Sequence, residues 1–217
     1  MGMHCPPRHP RGIALPVIML FLLIITIAAS FGIRRATLSE GITRNQLDYE
    51  ISRQAAEAAL RDGERDLLLV LASGTTAPGA ICARGDERPI AERTGPPHFG
   101  DNCPRGQCRF PLAYYDTSNY TVAPPTNPQP WWPSTDKGGQ WGNNTVDDAA
   151  DCAFNGAVPI GTFTGTPTIR GVARQPEYLI EYLARGDDVV MRITARGFGA
   201  DIRTETVVQS YFRPFLK

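Results

Sequence analysis

Four cysteines in the larger, later part of the chain have the side chains best suited to covalent chemistry: Cys82, Cys103, Cys108 and Cys152. An even set of thiols in loop-like sequence is typical of disulfides formed in an oxidising compartment. A zinc site would need closer Cys or His spacing than the four residues between Cys103 and Cys108. We therefore predict two disulfides. Of the three pairings, Cys82–Cys103 with Cys108–Cys152 is favoured because neighbours close the shorter loops.

The residues needed for catalysis are sparse. After the first apolar segment, a Ser/His/Asp or Cys/His arrangement would have only His98 to use. His98 lies in a Pro-Pro-His-Phe loop, where a lone histidine is ordinarily a surface residue. No Gly-x-Ser-x-Gly, His-Glu-x-x-His or phosphate-loop motif occurs. The sequence predicts a protein that is not an enzyme and that has no cofactor and no metal.

Two other clusters have a binding interpretation and a structural one. Asp147, Asp148 and Asp151 have oxygen ligands suited to calcium, but their spacing does not fit an EF-hand loop, and a solvated acidic turn is the alternative. Trp131 and Trp132, flanked by prolines, are candidates for a partner surface. The alternative for the tryptophans is packing over a sheet.

Composition limits the class of protein before any element is placed. The chain has 217 residues, 22 basic and 22 acidic side chains and a net charge of zero. Such a balance argues against a nucleic-acid binder that works by neutralising phosphates. The mean hydropathy of −0.23 resembles that of a soluble domain. It is an average over two very different parts of the chain.

One long stretch, residues 13–33, has 21 residues and no charge. As a helix it would cover roughly 30 Å, the thickness of the hydrocarbon core of a bilayer. Arginines flank it on both sides, so the positive-inside count is close to a tie. The four later cysteines favour an oxidising compartment for the rest of the chain. We predict a single-pass membrane helix with the C-terminal part of the chain outside the cytoplasm.

The first twelve residues have three interpretations. A secretory signal would be cut near the small residues Ala28 to Ser30, and a simple anchor would stay uncut. In the third interpretation, residues 1–12 resemble the prepilin leader of type IV pilins, which is cut after a glycine, here between Gly12 and Ile13. The apolar helix then stays in the mature protein.

Helical character continues through residues 34–72, which have no proline. Charged side chains alternate on the polar side, where we predict an exposed Asp62 and an ion pair between Glu57 and Arg61. Apolar residues recur at helical spacing on the other side: Leu47, Ile51, Ala55 and Ala58. The sequence predicts one long helix that is membrane-spanning over 13–33 and amphipathic over 34–72.

Residues 73–217 are predicted to form a globular head. The part from 73 to 175 is rich in Pro and Gly, contains the four cysteines, and indicates an irregular disulfide-bonded region. The part from 176 to 213 indicates three antiparallel strands. These are Glu177–Leu183, Val189–Phe198 and Thr204–Phe212, with Val189, Met191, Ile193 and Ala195 on one face and Arg192, Thr194 and Arg196 on the other. The amphipathic helix covers the apolar face, which gives an α+β fold.

Three stretches together resemble the PilX family of type IV pilus minor pilins. The resemblance implies a pilin-like fold, N-methylation of Ile13 and location at the pilus tip after assembly. It also implies a role in priming assembly, adhesion and twitching motility. The partners it implies are other minor pilins, a tip adhesin, the major pilin and the inner-membrane assembly platform. The stretches are Arg11-Gly-Ile-Ala-Leu, Ala55-Ala-Glu-Ala-Ala-Leu-Arg-Asp62, and Tyr178-Leu-Ile-Glu-Tyr-Leu with Arg192-Ile-Thr-Ala-Arg-Gly-Phe-Gly199.

One position departs from the pilin pattern. Val17, the fifth residue after the expected cleavage, stands where major pilins have a glutamate that neutralises the N-terminal amine of a neighbouring subunit. Because an unpaired charge in an apolar bundle is costly, a subunit without that carboxylate would suit the tip better than the shaft. Two other functions remain open at this point: a pseudopilin of a type II secretion system and a membrane-anchored periplasmic binding module.

Overall fold

The structure is a computed structural model. It describes residues 14–69, 75–84, 98–109, 141, 152–185 and 188–213. The chain divides into two compact units, Met1–Gln46 and Leu47–Lys217. In the first unit the described residues are all helical. In the second the helix packs on a β-sheet, so the predicted α+β class is confirmed.

A single helix, α1, extends from Ala14 to Leu68 and confirms the long N-terminal helix. It ends at Leu68 rather than near residue 72. Its last turn contains Arg65, a cation favoured by the negative end of the helix dipole. Ile13, the first residue of the predicted membrane segment, lies outside the described residues.

The buried face of α1 differs in part from the predicted apolar stripe. Leu47 is exposed and Ala58 is only half-buried. Small residues take their place because they let the helix backbone approach the sheet closely. Asp62, predicted on the polar side, is 2% exposed. The buried face consists of Ser52, Ala55, Ala56, Ala59, Asp62, Gly63, Asp66 and Leu67.

The predicted Glu57–Arg61 ion pair does not form in the structure. Glu57 instead pairs with Arg53, whose Nη1 lies 3.4 Å from Glu57 Oε1. Arg53 Nη2 also lies 3.2 Å from Glu50 Oε2. Arg53 therefore bridges two carboxylates along the helix, which leaves Glu57 occupied.

The sheet contains the three predicted strands, now β3 (Glu177–Arg185), β4 (Asp188–Phe198) and β5 (Glu205–Phe212). They form an antiparallel meander. Two short strands were not predicted: β1 (Gln107–Cys108) and β2 (Val158–Pro159). Both pair with β3, β2 antiparallel and β1 parallel, so the predicted antiparallel strands are part of a mixed sheet.

The two faces of the sheet alternate as the sequence predicts. The face towards α1 forms one core with Ala59 and Leu67 of the helix. Its central side chains are Tyr178, Ile180, Met191, Ile193 and Ala195. The other face carries the arginines and threonine of β4, but Arg192 and Arg196 are each only 8% exposed. The polar face is therefore a second buried layer.

Two glycines set how closely α1 approaches the sheet. A Cβ on Gly197 of β4 would overlap the backbone nitrogen of Ala56 and the carbonyl oxygen of Ser52. A Cβ on Gly63 of the helix would lie 2.9 Å from Ile193 Cγ2 and 3.0 Å from Tyr178 Cδ2. Backbone meets backbone at the first site, so the fold needs glycine there.

Candidate functional site

The N-terminal part of α1 presents an apolar surface. The described residues contain one helix long and apolar enough to cross a membrane, and none of its most apolar window is buried. Its polar side chains bond within the helix: Thr26 Oγ1 donates to the Leu23 carbonyl at 2.9 Å, and Ser30 Oγ to the Thr26 carbonyl at 2.8 Å. Such bonds suit a helix in lipid, where no water can satisfy a hydroxyl.

The predicted site residues fall into two groups. The first group lies in the described residues: Val17 on α1 is 47% exposed, and the four cysteines form two disulfides. The remaining predicted sites lie outside the described residues: Gly12, Ile13, Trp131, Trp132, and Asp147 to Asp151.

A buried carboxylate of α1, Asp62, is bound by the turn at residues 161–166, about 100 residues later in the sequence. Its Oδ2 accepts a hydrogen bond of 2.8 Å from the backbone N–H of Gly161. The hydroxyls of Thr164 and Thr166 both donate to its Oδ1. Burial raises the pKa of Asp62 above the ordinary value of 3.8, and these donors offset the rise only in part.

One turn later, Asp66 forms a buried ion pair with Arg84. Arg84 Nε donates to both carboxylate oxygens of Asp66, at 3.0 and 3.2 Å. The hydroxyl of Tyr178 on β3 donates to the same carboxylate at 2.9 Å. Complete burial raises the pKa of Tyr178 well above 10, and Asp66 adds to the rise. The helix, the segment 75–84 and the sheet therefore meet at one carboxylate.

Arg84 also fixes the turn that follows Cys103. Its Nη1 donates to the Arg105 carbonyl at 2.7 Å, and the Arg105 guanidinium donates to the Ala83 carbonyl in return. Both guanidinium groups lie over the Phe163 ring, at 3.7 and 5.0 Å from its centroid. This reciprocal contact connects the segment 75–84 to the turn.

The cysteines pair as Cys103–Cys108 and Cys82–Cys152, so the favoured pairing was wrong. A tight turn decides the first bond: Cys103 and Arg105 have positive φ angles of 49° and 50°. The Gly106 N–H donates to the Cys103 carbonyl at 3.0 Å, and the two Cα atoms of the disulfide come within 4.1 Å. Cys103 therefore forms its disulfide with the next cysteine along the chain, Cys108, and not with Cys82.

The second disulfide joins segments far apart in sequence. Cys82 is 1% exposed, and its N–H donates to the Thr162 carbonyl at 2.8 Å. Cys152, 70 residues later, has a Cα atom 5.6 Å from that of Cys82. Cys82 belongs to the core between helix and sheet, whereas Cys103 and Cys108 belong to the cluster with Trp141 and Leu179.

Two ion pairs cross β3 and β4 on the face away from the helix. Glu177 lies opposite Arg196, and Glu181 lies opposite Arg192. Arg196 donates to Glu177 Oε1 at 2.6 and 3.1 Å, and Arg192 Nε to Glu181 Oε2 at 2.7 Å. Both glutamates are 1% exposed, so these are buried pairs.

Aromatic rings enclose the Arg196 guanidinium. It lies 4.8 Å from the Phe198 ring centroid and 5.5 Å from that of Trp141. Its Nη1 also reaches Glu205 of β5 at 3.4 Å. Arg196 therefore contacts three strands and a loop tryptophan.

Asp48 of α1 holds the hairpin between β4 and β5. Its Oδ1 accepts hydrogen bonds from the N–H groups of Ala200, at 2.5 Å, and Asp201, at 3.4 Å. A hydrogen bond from Thr204 is the main cause of the lowered pKa of Asp48. The hairpin is thus fixed at its tip as well as along its strands.

These contacts connect the helix, the sheet and the loops of the head to one another. Within the described residues no group of three His, Cys, Asp or Glu side chains is arranged to hold a metal ion. The buried acids Asp62, Asp66, Glu177 and Glu181 bind backbone, hydroxyl or arginine donors of the chain itself. The sequence did carry a signal for the last two, because acids spaced by four on β3 face arginines spaced by four on β4.

The fold and the apolar helix define a class: a subunit with one candidate membrane helix that continues into an α+β head. The family model described as the PilX N-terminal domain matches residues 11–61, and that of the type IV pilus assembly protein PilX C-terminal domain matches residues 111–214. The chain belongs to the PilX family of type IV pilus assembly proteins. No curated protein and no solved structure matches it.

Proposed function

We propose that this chain is a minor pilin that helps prime type IV pilus assembly and forms part of the pilus tip complex, in support of adhesion and twitching motility. The observation that carries the proposal is α1 itself. One helix begins with an apolar stretch that is not buried in the structure, and further along it has a face that is buried against the sheet of the head. Family membership adds that the chain acts in pilus assembly.

The apolar stretch supplies the assembly mechanism. Cleavage between Gly12 and Ile13, with N-methylation of Ile13, releases the leader of residues 1–12. Residues 13–33 then hold the subunit in the inner membrane until lateral packing with other apolar helices draws it into the pilus. The head, residues 73–217 with the amphipathic part of α1, stays in the periplasm, where its disulfides are stable.

Val17 favours a place at the tip. A glutamate at this position would neutralise the N-terminal amine of a neighbouring subunit. Valine cannot, so adding this subunit within the shaft would leave a charge unpaired in an apolar bundle. A subunit at the tip meets no such amine from an earlier subunit. The partners that follow are other minor pilins, a tip adhesin, the major pilin and the assembly platform.

The mature N-terminus tests the processing step. Mass spectrometry of the protein purified after expression of the full-length gene should identify N-methylated Ile13 as the first residue. A secretory signal would give an N-terminus near Phe31, and an uncut anchor would give Met1. Either of the last two results would contradict the pilin mechanism.

A clean deletion tests the priming role. Surface pili should disappear or fall sharply, and the gene in trans should restore them. Normal piliation with lost protein secretion would instead identify a pseudopilin of a type II secretion system. Val17→Glu should raise the amount of this subunit relative to the major pilin in sheared pili, and an unchanged ratio would refute the argument from Val17.

A further inference from the structure

One face of α1 in the head has no partner among the described residues. It lies opposite the buried stripe and contains Arg61 and Arg65, which are exposed and one turn apart. Leu68, the last residue of the helix, is 54% exposed on the same face. Residues at spacings of four and three share a helix face, so the three side chains form one surface. We call Arg61, Arg65 and Leu68 the arginine face.

Neither arginine is neutralised within the part of the chain that the structure describes. The acid four residues before Arg61 is Glu57, and Arg53 occupies it. The acid three residues before Arg65 is Asp62, which is buried and bound by the Gly161 loop. Two cations one turn apart repel each other by a few tenths of a kcal/mol, and an anionic partner would remove that repulsion.

We propose that the arginine face binds a carboxylate-bearing helix of a different pilus subunit. The inference rests on the proposed function, because it takes this chain to assemble with others. Charge complementarity defines the occupant: two guanidinium groups at helical spacing match two carboxylates at helical spacing. Leu68 adds an apolar contact at the end of the row.

A second copy of this chain fits the arginine face poorly. Three acids of its own helix are already paired, Glu40 with Arg44 and both Glu50 and Glu57 with Arg53. The half-buried Glu64 is a single further carboxylate and cannot supply two at helical spacing. A copy would have to break those pairs to supply carboxylates. A subunit with unpaired acids on its helix would not, so the contact favours a heterotypic neighbour.

Charge reversal tests the arginine face in cells. Arg61→Glu with Arg65→Glu should reduce surface pili by roughly tenfold, because attraction becomes repulsion at both positions. The variant should still reach the wild-type level in the membrane, since both side chains are exposed. Arg61→Lys with Arg65→Lys should keep wild-type piliation. Arg170→Glu, an exposed arginine in a loop of the head, is the matched control and should also keep it.

The contact itself can be tested without charge reversal. A photo-crosslinking amino acid at position 68 of the full chain should crosslink to a helix of another pilus assembly protein, close to an Asp or Glu. Replacing both arginines by glutamate should reduce that crosslink by roughly tenfold. Crosslinks to a second copy of this chain, or to lipid alone, would overturn the inference.

The two proposals fail in different ways. If deletion leaves piliation normal, the priming role is wrong. If deletion abolishes pili but the charge-reversed variant assembles at the wild-type level, only the arginine face is wrong. If the charge-reversed variant is degraded, the crosslink at position 68 in the otherwise unchanged chain decides.

Discussion

Asp62 accepts a hydrogen bond of 2.8 Å from the backbone N–H of Gly161, across 99 residues of sequence. Thr164 and Thr166 donate to the other carboxylate oxygen, so one side chain of the helix organises the whole turn from 161 to 166. Gly161 and Gly165 both have positive φ in this turn, where any other residue would be strained. The carboxylate thus accepts three hydrogen bonds from a turn in which two glycines have left-handed backbone angles.

Asp62→Ala should destabilise the head by about 2 to 4 kcal/mol, because buried donors would lose their acceptor. Chemical unfolding of the full chain in detergent, followed by tryptophan fluorescence, measures the loss. Thr168→Ala, an exposed threonine close to the same turn, is the control and should change stability by less than about 0.5 kcal/mol. Equal stability of the two variants would show that the Asp62 hydrogen bonds contribute nothing.

Asp62 shows where sequence reasoning fails. By helical spacing it belongs with the charged residues, and nothing in its neighbours marks it as buried. Its partners lie in a stretch that has no periodicity, because Gly161, Thr164 and Thr166 form a turn rather than an element. Alternation did predict both faces of β4, since strand residues point to opposite sides whatever covers them. The face of β4 that carries the arginines is covered by residues distant in the sequence, and hydrophobic periodicity contains no information about them.

Burial of Asp62 also predicts a pH dependence. Its pKa in the folded protein is raised above 3.8, so the folded state binds the proton more tightly than the unfolded state does. The stabilisation from this proton is complete below about 3.8 and is lost as pH rises through the raised pKa. The unfolding free energy of wild type should therefore fall with rising pH in that window. Asp62→Asn should show a flatter profile there.

The opposite trend belongs to two acids at the β4–β5 hairpin, Asp201 in the hairpin itself and Asp48 of α1, which binds it. Hydrogen bonds from Arg203 lower the pKa of Asp201 to about 2, and Thr204 lowers that of Asp48. Stability from these acids is present above 3.8 and is lost as pH falls below it. Because the Asp62 trend lies above 3.8 and the trend from Asp201 and Asp48 lies below it, comparison with Asp62→Asn separates them. Parallel profiles for wild type and Asp62→Asn above 3.8 would contradict the raised pKa.

The Glu181–Arg192 pair should be costly to break and cheap to replace. Arg192→Ala leaves Glu181 buried without its arginine, for an expected loss of about 3 to 5 kcal/mol. Replacing both residues by leucine should recover most of the loss, since no charge is left buried. Arg44→Ala removes a solvent-exposed pair with Glu40 and should cost less than about 1 kcal/mol. Urea unfolding of these three variants against wild type measures the changes in unfolding free energy.

Of the contacts in the site, these two ion pairs are the ones that sequence spacing comes closest to predicting. Acids at 177 and 181 and arginines at 192 and 196 align if a hairpin joins the two strands, and the observed register aligns them. Alternation placed Arg192 and Arg196 on the face away from the helix, but it did not indicate that this face is buried. A buried charge needs a partner in register, and here each arginine has one.

Gly197→Ala should destabilise the head by about 1 to 3 kcal/mol, because the added methyl group overlaps the backbone of Ser52 and Ala56 and neither can move freely. Gly41→Ala in α1 is the control, because an added Cβ there meets nothing within 4 Å. That change should leave stability unchanged or raise it by up to about 1 kcal/mol. Thermal melts followed by circular dichroism compare the two.

The two disulfides should contribute unequally to stability. Cys82–Cys152 spans 70 residues and Cys103–Cys108 spans five, and the entropy of the unfolded chain lost on crosslinking grows with the length of the closed loop. Replacing Cys82 and Cys152 by serine should cost about 4 kcal/mol, and replacing Cys103 and Cys108 about 2 kcal/mol. Urea unfolding of the two double variants against wild type measures the difference.

Peptide mapping without reduction settles the pairing on which that prediction depends. It should recover Cys82 linked to Cys152, and Cys103 within the same short peptide as Cys108. A Cys82–Cys103 link would contradict both the pairing and the ranking, since the two loops would then span 21 and 44 residues and contribute about 3 and 4 kcal/mol. With the pairing established, a larger cost for the Cys103 and Cys108 variant would mean that the turn after Cys103 stabilises the head through its contacts with Arg84 and β3 more than through loop closure.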